Sequence, residues 1–364
     1  MTKVIRREFV QLAKTFRPTK DNVAGWYLSE KLDGTRCLWD GGISRGMATV
    51  DVPWAGLTNP RTGEPKPKIK PVSTGLWSRY GNPIIAPDEF LDKLPPFATD
   101  GELWAGRGNF QLCRSICAGD EPDPRFMEHI KFAVFSSPPA DALFQSGLIK
   151  NTNMLVDMNF DQIKEWVATN TKSVVGPPKG STLEQELFAL QGWDGWDEQL
   201  FILKQVVLNN DEATAASQLG VYMEMFLDGG AEGVILRDPL AQWTPKRIAG
   251  CLKWKPWEDD EGTVVGFTSG RETDKGSKLL GMIGALILDY NGDRLELSGL
   301  TNEERTFADQ RETDYAEDNP GEDMPDQFQG KHFKVGDVVT FKYRELSDDG
   351  IPKEARYWRQ RDVE

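Results

Sequence analysis

The residues with the most chemistry on offer are Ser29-Glu30-Lys31-Leu32-Asp33-Gly34-Thr35-Arg36. A lysine stands at a strand end, an Asp-Gly turn follows, and an arginine comes next. At its ordinary pKa of about 10.4 a lysine is protonated and a poor nucleophile. Neighbouring cations or a metal ion favour the neutral amine that can attack. Alone, such a segment is a common Lys-rich turn. Asp100-Gly101-Glu102-Leu103-Trp104 sets a carboxylate on a buried strand, and Ala231-Glu232-Gly233-Val234-Ile235-Leu236-Arg237 repeats the device. Leu252-Lys253-Trp254-Lys255-Pro256 puts two lysines on one face of a strand through its period of two. A pocket holding a nucleophilic Lys31, two carboxylates for a divalent metal, and Lys253 and Lys255 for phosphate charge has what nucleotidyl transfer requires. That chemistry is mostly positioning and neutralisation of phosphate oxygens. Each piece has a plainer reading, as a turn carboxylate or a solvated lysine. Their order and spacing together make coincidence a poor explanation.

The elements that must position these groups follow from local pattern. Residues 4–16 read as an amphipathic helix ended before Pro18. Tyr27–Glu30 and Thr35–Trp39 read as strands, with a turn at Asp40-Gly41-Gly42. Residues 46–75 carry five prolines and several lysines and read as an exposed loop. Leu103–Trp104 and Phe132–Phe135 read as buried strands. Helical patterns occupy about 158–169, 183–190, 197–208 and 212–228, and Trp166, Trp193 and Trp196 read as helix-packing residues. Gly233–Leu236 and Leu252–Lys255 are short strands again. After Pro256, residues 262–268, 282–290, 293–298 and 335–344 alternate as strands, with a helix near 302–312. That is an antiparallel pattern the size of a small barrel. The acidic stretch 314–330 reads as an exposed, flexible loop.

Composition sets limits. The chain has 364 residues, enough for two domains with a sizeable core. Two histidines, His129 and His332, exclude a His-rich metal site and make a His-based triad a poor fit. Cys37, Cys113, Cys117 and Cys251 are scattered and read as buried small apolar residues of a reduced compartment. No secretory signal is visible, and no apolar run approaches the roughly 20 residues of a membrane span. An intracellular, cytoplasmic protein with no membrane partner is expected. The net charge of −14 argues against a phosphate-backbone partner. The charge is unevenly spread, however. Residues 1–80 carry a net +7, whereas 141–240 carry −9 and 301–330 carry −8. The expectation is a polarised molecule, basic around the nucleotide cleft.

The ordered set Lys31-x-Asp-Gly-x-Arg36, Asp-Gly-Glu102, Phe132-Ala-Val-Phe135, Glu232-Gly-Val-Ile and Lys253-x-Lys255 resembles the ATP-dependent DNA ligases of the covalent nucleotidyltransferase superfamily. SEKLDGTRCLWDG, WSRYGNPIIAP and DGELWAGRGNFQ are similar to the minimal ligases of bacteria and phages, above all the small bacterial type called ligase E. The resemblance covers about residues 24–135 and 230–364. It implies an α+β fold: an ATP-grasp-like adenylation (nucleotidyltransferase) domain over 1–256, of antiparallel sheets flanked by helices, then an OB-fold β-barrel over 257–364.

It also implies roles. Lys31 attacks the α-phosphate of ATP and carries AMP; AMP passes to the 5′-phosphate at a nick, and the 3′-hydroxyl displaces it. Ser29 and Glu30 lie where relatives contact adenine, Phe135 matches the stacking aromatic, and Glu102 matches the ribose-binding, metal-linked Glu. Glu232 matches the metal-site Glu for Mg²⁺, and Lys253 and Lys255 match the α-phosphate lysines. Arg36 and Arg79 match arginines on the nucleotide or the nick phosphate. Arg61, Lys66, Lys68 and Lys70, in a loop longer than the small bacterial type has, are expected on duplex phosphates, with Arg359 and Arg361 as further DNA contacts. The implied protein is a monomer acting on nicked duplex DNA in a bacterium or phage-infected cell. An RNA ligase or capping-type nucleotidyltransferase is the nearest alternative. A non-catalytic OB-fold nucleic-acid-binding protein is the alternative from another class.

Overall fold

The computed structural model describes residues 9–58, 64–139, 176–178, 180–271, 278–347 and 349–360. The expected helix at 158–169, with Trp166, lies outside the described residues, as do Arg61 and Arg361. The chain divides into two compact units, Met1–Trp254 and Lys255–Glu364.

The first unit contains, in chain order, β1 (Leu12–Thr15), β2 (Tyr27–Glu30), β3 (Thr35–Asp40), β4 (Leu76–Ser78), α1 (Asp88–Leu91), β5 (Ala98–Trp104), α2 (Phe110–Ala118), α3 (Phe126–His129) and β6 (Lys131–Ser136). α4 (Leu183–Gln191), β7 (Leu200–Ile202), β8 (Val206–Val207), α5 (Glu212–Asp228), β9 (Val234–Arg237) and β10 (Arg247–Trp254) complete it. They make two five-stranded sheets, ordered β1-β10-β9-β2-β8 and β4-β3-β5-β6-β7. The pairings are antiparallel except β1 with β10 and β6 with β7, which are parallel.

Alternation along the strands gives each sheet two different faces. On the first sheet Leu28, Val234, Leu236 and Leu252 are buried with Ala215, Leu219 and Met223 of α5. On the second, Cys37, Leu103, Phe132 and Val134 are buried with Cys113, Ile116 and Cys117 of α2 and Leu183, Leu187 and Leu190 of α4. The other faces carry the polar residues of the site. α4 starts from a capping box in which Thr182 and Gln185 satisfy each other's backbone N–H. The Asp211 side chain caps α5 at Thr214 N.

Four expectations are corrected. Residues 12–15 are a strand, not part of a helix: β1 pairs with β10, and that pairing overrides the amphipathic pattern. Residues 197–208 hold β7 and β8 rather than a helix, consistent with the β-branched Ile202, Val206 and Val207. The Pro-rich stretch is not simply an exposed loop. Val52, Trp54, Ala55 and Leu57 are buried against Leu38 and Trp77, while Val50 and the lysine-bearing half approach solvent. Trp193 and Trp196 pack edge to face at 4.8 Å beyond the end of α4, with Trp193 6.1 Å from Phe97, rather than between helices. All four cysteines are free and buried.

The second unit contains β11 (Glu258–Ser269), β12 (Ile283–Tyr290), β13 (Asp293–Leu297), α6 (Gln310–Asp318), β14 (Val338–Tyr343), β15 (Glu345–Leu346), β16 (Pro352–Lys353) and β17 (Arg356–Gln360). Its sheet runs β13-β12-β11-β14-β17. The long β11 pairs with β14 over Glu258–Thr263 and with β12 over Thr263–Ser269, with a bulge between Val264 and Gly266. Bulges bend strands and raise their twist. A parallel bridge joins Ser298 to Arg356, so the two edges of the sheet meet there. The acidic stretch is a further correction: it includes the end of α6, and Ala316, Met324 and Phe328 are buried in this unit's core. The helix expected near 302–312 lies at Gln310–Asp318.

Candidate active site

Lys31 follows β2 directly, and its backbone N–H donates to Gly233 O at 2.9 Å. That anchor ties the Lys31 turn to the start of β9, and the Lys31 ammonium forms an ion pair with Glu232, 201 residues away in sequence. Gly34 is required in the turn: a Cβ there would lie 2.2 Å from the Leu103 carbonyl oxygen. Backbone contact of that kind leaves room for no side chain.

Beside Lys31 is a pocket of about 130 Å³, lined from the first sheet by Ser29, Glu30, Ile235 and Cys251 and from the second by Arg36, Glu102 and Phe135. Ser29 pairs with Ile235 and Ile235 with Lys253, so these three share one face of the sheet. Lys253 therefore lies on the pocket face, two residues from Cys251. Arg36 pairs with Glu102 across β3 and β5.

Arg36 is fixed from behind. Its Nε and Nη2 donate to the Asp100 carboxylate at 2.7 and 2.8 Å, and Nη2 also donates to Gln11 O at 3.1 Å. Asp100 is fully buried and accepts a third bond from Trp243 Nε1 at 2.7 Å. Planar, bidentate, charge-assisted pairing of this kind orients a guanidinium. Burial raises the Glu102 carboxyl from 4.5 to about 7, opposed by the charges of Arg36 and Lys31.

Phe135 owes its position to a bulge. Asp100 pairs with Ser136 and Gly101 with Val134, leaving Phe135 as the extra residue between them. A bulge re-aims a side chain and leaves backbone groups for other partners. The Phe135 carbonyl accepts from Arg237 Nη1, and its ring lies 4.6 Å from the Arg36 guanidinium and 5.2 Å from that of Arg237. Behind it the buried Glu186 accepts from Ser136 Oγ, and burial pushes its carboxyl up to about 8.

Six of the residues singled out in the sequence thus line one pocket, with Glu232 on the Lys31 ammonium and Lys253 on the same sheet face. Glu30, though it lines the pocket, is held by another partner, and the remaining residues sit elsewhere. The Glu30 carboxylate forms a bidentate pair with Arg107, both bonds 2.8 Å, which occupies the oxygens expected on adenine. Lys255 lies past the end of β10 and opens the second unit, where its ammonium is 3.9 Å from Glu345. The shared strand face expected for Lys253 and Lys255 is corrected accordingly. Arg79 is half-buried just after β4, with its guanidinium 5.5 Å from the Tyr80 ring. Lys66, Lys68 and Lys70 line a different cleft. Arg359 is exposed on β17, 4.8 Å over Trp358, whose other cationic neighbour is Lys342 at 3.5 Å.

Sequence reasoning missed Asp100, Trp243, Gln11, Arg237 and Glu186. Arg237 carried a signal, since on a strand it shares a face with Ile235. Among the described residues no group of three or more His, Cys, Asp or Glu stands ready to hold a metal ion. No described helix is long and apolar enough to cross a membrane.

Residues 276–361 match the family described as the DNA ligase OB-like domain. Over 342 residues the chain is 24% identical to a DNA ligase of Haemophilus influenzae, covering 93% of this chain and 88% of that one. A structure from a structure–function study of DNA binding with a minimal scaffold by Lig E DNA ligases aligns with a TM-score of 0.57 at 22% identity, covering 97% of this chain and 98% of the other. A structure designated Pmar-Lig_PreS3 aligns with a TM-score of 0.54 at 17% identity, over 96% of this chain and 67% of the other. The fold is that of the Lig E structure, with an OB-like domain at residues 276–361. The resemblance to the minimal Lig E-type DNA ligases is borne out.

Proposed function

We propose that the protein is an ATP-dependent DNA ligase that seals 5′-phosphate/3′-hydroxyl nicks in duplex DNA, acting as a monomer inside the cell. The observation that carries this reading is the pocket itself: Lys31, paired with Glu232, opens onto a site lined by Arg36, Glu102 and Phe135. In this reading adenine stacks on Phe135, and Ser29 lies at the base. Arg36 and Glu102 hold the ribose end, and Lys253 meets the α-phosphate.

The Lys31 ammonium loses its proton before attack, and the Glu232 carboxylate in contact with it can accept that proton. The Nζ–Pα bond then forms as the bond from Pα to the pyrophosphate oxygen breaks, leaving AMP on Lys31 and releasing pyrophosphate. AMP next moves to the 5′-phosphate at the nick, and attack by the 3′-hydroxyl expels it and closes the strand. Arg36, Arg79 and the loop lysines Lys66, Lys68 and Lys70 contact DNA phosphates, with Arg61, Arg359 and Arg361 extending that set.

Two carboxylates facing one lysine are too few for a closed metal cage, but they fit Mg²⁺, which commonly takes one or two protein carboxylates with substrate phosphates completing its shell. Glu102 and Glu232 would hold it, and its charge would neutralise the phosphate oxygens.

Sealing assays on matched substrates test the reading. Nicked duplex DNA with ATP is expected to be sealed, and nicked RNA or GTP to support little product. Sealing of RNA in preference to DNA, or use of GTP in place of ATP, would move the assignment to an RNA ligase or capping-type enzyme.

A further inference from the structure

The loop after β5 reads Ala105-Gly106-Arg107-Gly108-Asn109, and no step of the nucleotide chemistry uses it. Gly106 and Gly108 have φ of +96° and +74°, a left-handed backbone that glycine adopts without strain. They let the chain turn sharply on either side of Arg107. Asn109 closes the loop, its Nδ2 donating to Ala105 O at 3.2 Å and its backbone N–H to Gly106 O at 3.3 Å. Arg107 reaches from this loop to two other segments. Its Nε and Nη2 donate to the two Glu30 carboxylate oxygens, both at 2.8 Å, and Nη1 donates to Gly229 O at 2.7 Å.

The places of these partners in the chain give the contacts their meaning. Glu30 immediately precedes Lys31, and Gly229 ends α5 shortly before Glu232. Arg107 itself follows Glu102 on the way out of β5. One guanidinium therefore joins the three segments that carry Lys31, Glu102 and Glu232. Its planar fork of donors meets a carboxylate and a carbonyl at once, which a lysine ammonium does not do in the same geometry. The seat at Gly229 is shaped for it. Gly229 has φ −79° and ψ 2°, a conformation open to any residue, so its backbone does not require glycine. The space does: a Cβ there would lie 2.6 Å from Arg107 Nη1. Gly230 follows at φ +79°, and two glycines in succession leave this turn few side chains of its own to pin it. A tether from outside the turn then matters for where Glu232 sits. With Arg107 40% exposed, the ion pair adds little to stability, and its effect lies in placement.

We infer that Arg107 is a positioning residue for the transfer of AMP to Lys31: through Glu30 and Gly229 it holds the Lys31 turn and the Glu232 turn in mutual register. Glu30, which lines the pocket, serves as the anchor of Arg107 and leaves recognition of adenine to other groups. Arg107 is not among the pocket-lining residues, so it acts on the nucleotide only through the segments it joins. The inference rests on the ligase reading above.

The test is single-turnover adenylation of the full chain with α-labelled ATP across a range of ATP concentrations. A misplacement of about 1 Å costs roughly 100-fold in rate, and a loosened turn costs less. Arg107→Ala is expected to lower the maximal rate about tenfold while the half-saturating ATP concentration changes by less than about twofold. Arg107→Lys, which keeps the charge and a bond to Glu30, is expected to fall between Arg107→Ala and the wild type. Gly229→Ala sets a methyl against the guanidinium on an unstrained backbone and is expected to lower the rate several-fold. Added to Arg107→Ala it should have no further effect, because no guanidinium is left to displace. Thermal melts should stay near that of the wild type. A wild-type rate in Arg107→Ala overturns the inference. So does a loss confined to the half-saturating ATP concentration, which would put the pair on the nucleotide, and so do losses of Gly229→Ala and Arg107→Ala that simply multiply. The wild-type chain separates this from the reading beneath it. If it takes no label, the ligase reading falls and the inference with it; if it is labelled and the variants match it, only the inference falls.

Discussion

Asp100→Asn keeps the shape of the side chain and removes the charge that holds Arg36. Asp100 is wholly buried, and the Arg36 side chain is 23% exposed. Removing one partner of a buried, hydrogen-bonded pair costs about 3–5 kcal/mol, because the remaining charge is left without compensation. Water reaches part of Arg36, which places the expected loss near the lower end, about 3 kcal/mol. Asn can still accept from Trp243, but its amide turns a donor toward the guanidinium. The tether that sets Arg36 4.6 Å over Phe135 is then lost. Adenylation efficiency, kcat/KM for ATP, should fall at least tenfold, about 1.4 kcal/mol of transition-state stabilisation. Denaturant unfolding and adenylate-formation kinetics on Asp100→Asn, Arg36→Gln and the double variant read both effects. Acting as one unit, the pair should show a coupling of about 2 kcal/mol in stability. Losses that simply add, within about 0.5 kcal/mol, would refute the positioning role.

Further outcomes follow from the same geometry. Glu186 is raised from 4.5 to about 8, so between those values the folded chain keeps a proton that the unfolded chain has released, and stability falls as pH rises through that window. From pH 5 to 7 the loss is on the order of 2–3 kcal/mol; urea unfolding of Glu186→Gln should lack it, and parallel curves for the two proteins would contradict the assignment. Phe135→Leu should raise the KM for ATP about tenfold, within the usual worth of base stacking on an aromatic ring; an unchanged KM in steady-state adenylation would remove Phe135 from the adenine site. Gly34→Ala meets the Leu103 carbonyl and should cost at least about 2 kcal/mol in denaturant unfolding; wild-type stability would show that the turn is slack.

The parts of this molecule that were readable from sequence are those set by local pattern. The alternation in β2 and β3, the helices α4 and α5 and the strands of the second unit all announce themselves within a few residues. So do Lys31, Glu102 and Glu232, because residue type and order alone mark them for phosphate chemistry. What escaped depends on partners far along the chain. β1 looks amphipathic enough for a helix until β10 is there to pair with it. Trp54 and Leu57 sit among prolines and lysines yet fill the space beside Trp77. Phe135 needs a bulge to aim it, and the bulge is a matter of register that one strand cannot reveal. Asp100 looked like a turn residue next to Glu102, but the pleat sends it to Arg36 and Trp243. Glu186 stands among charged helix residues, and only packing shows it buried. The charge objection, too, was a property of the whole chain: Lys66, Lys70 and Arg114 line one cleft despite the net −14.

The central claim is that Lys31 carries AMP. Incubation with α-labelled ATP and Mg²⁺, followed by a denaturing gel, measures it directly. The wild-type chain should retain label, release it when pyrophosphate is added, and transfer it to a nicked duplex, while Lys31→Ala retains none. An unlabelled wild-type chain, or equal labelling of Lys31→Ala, would contradict the account.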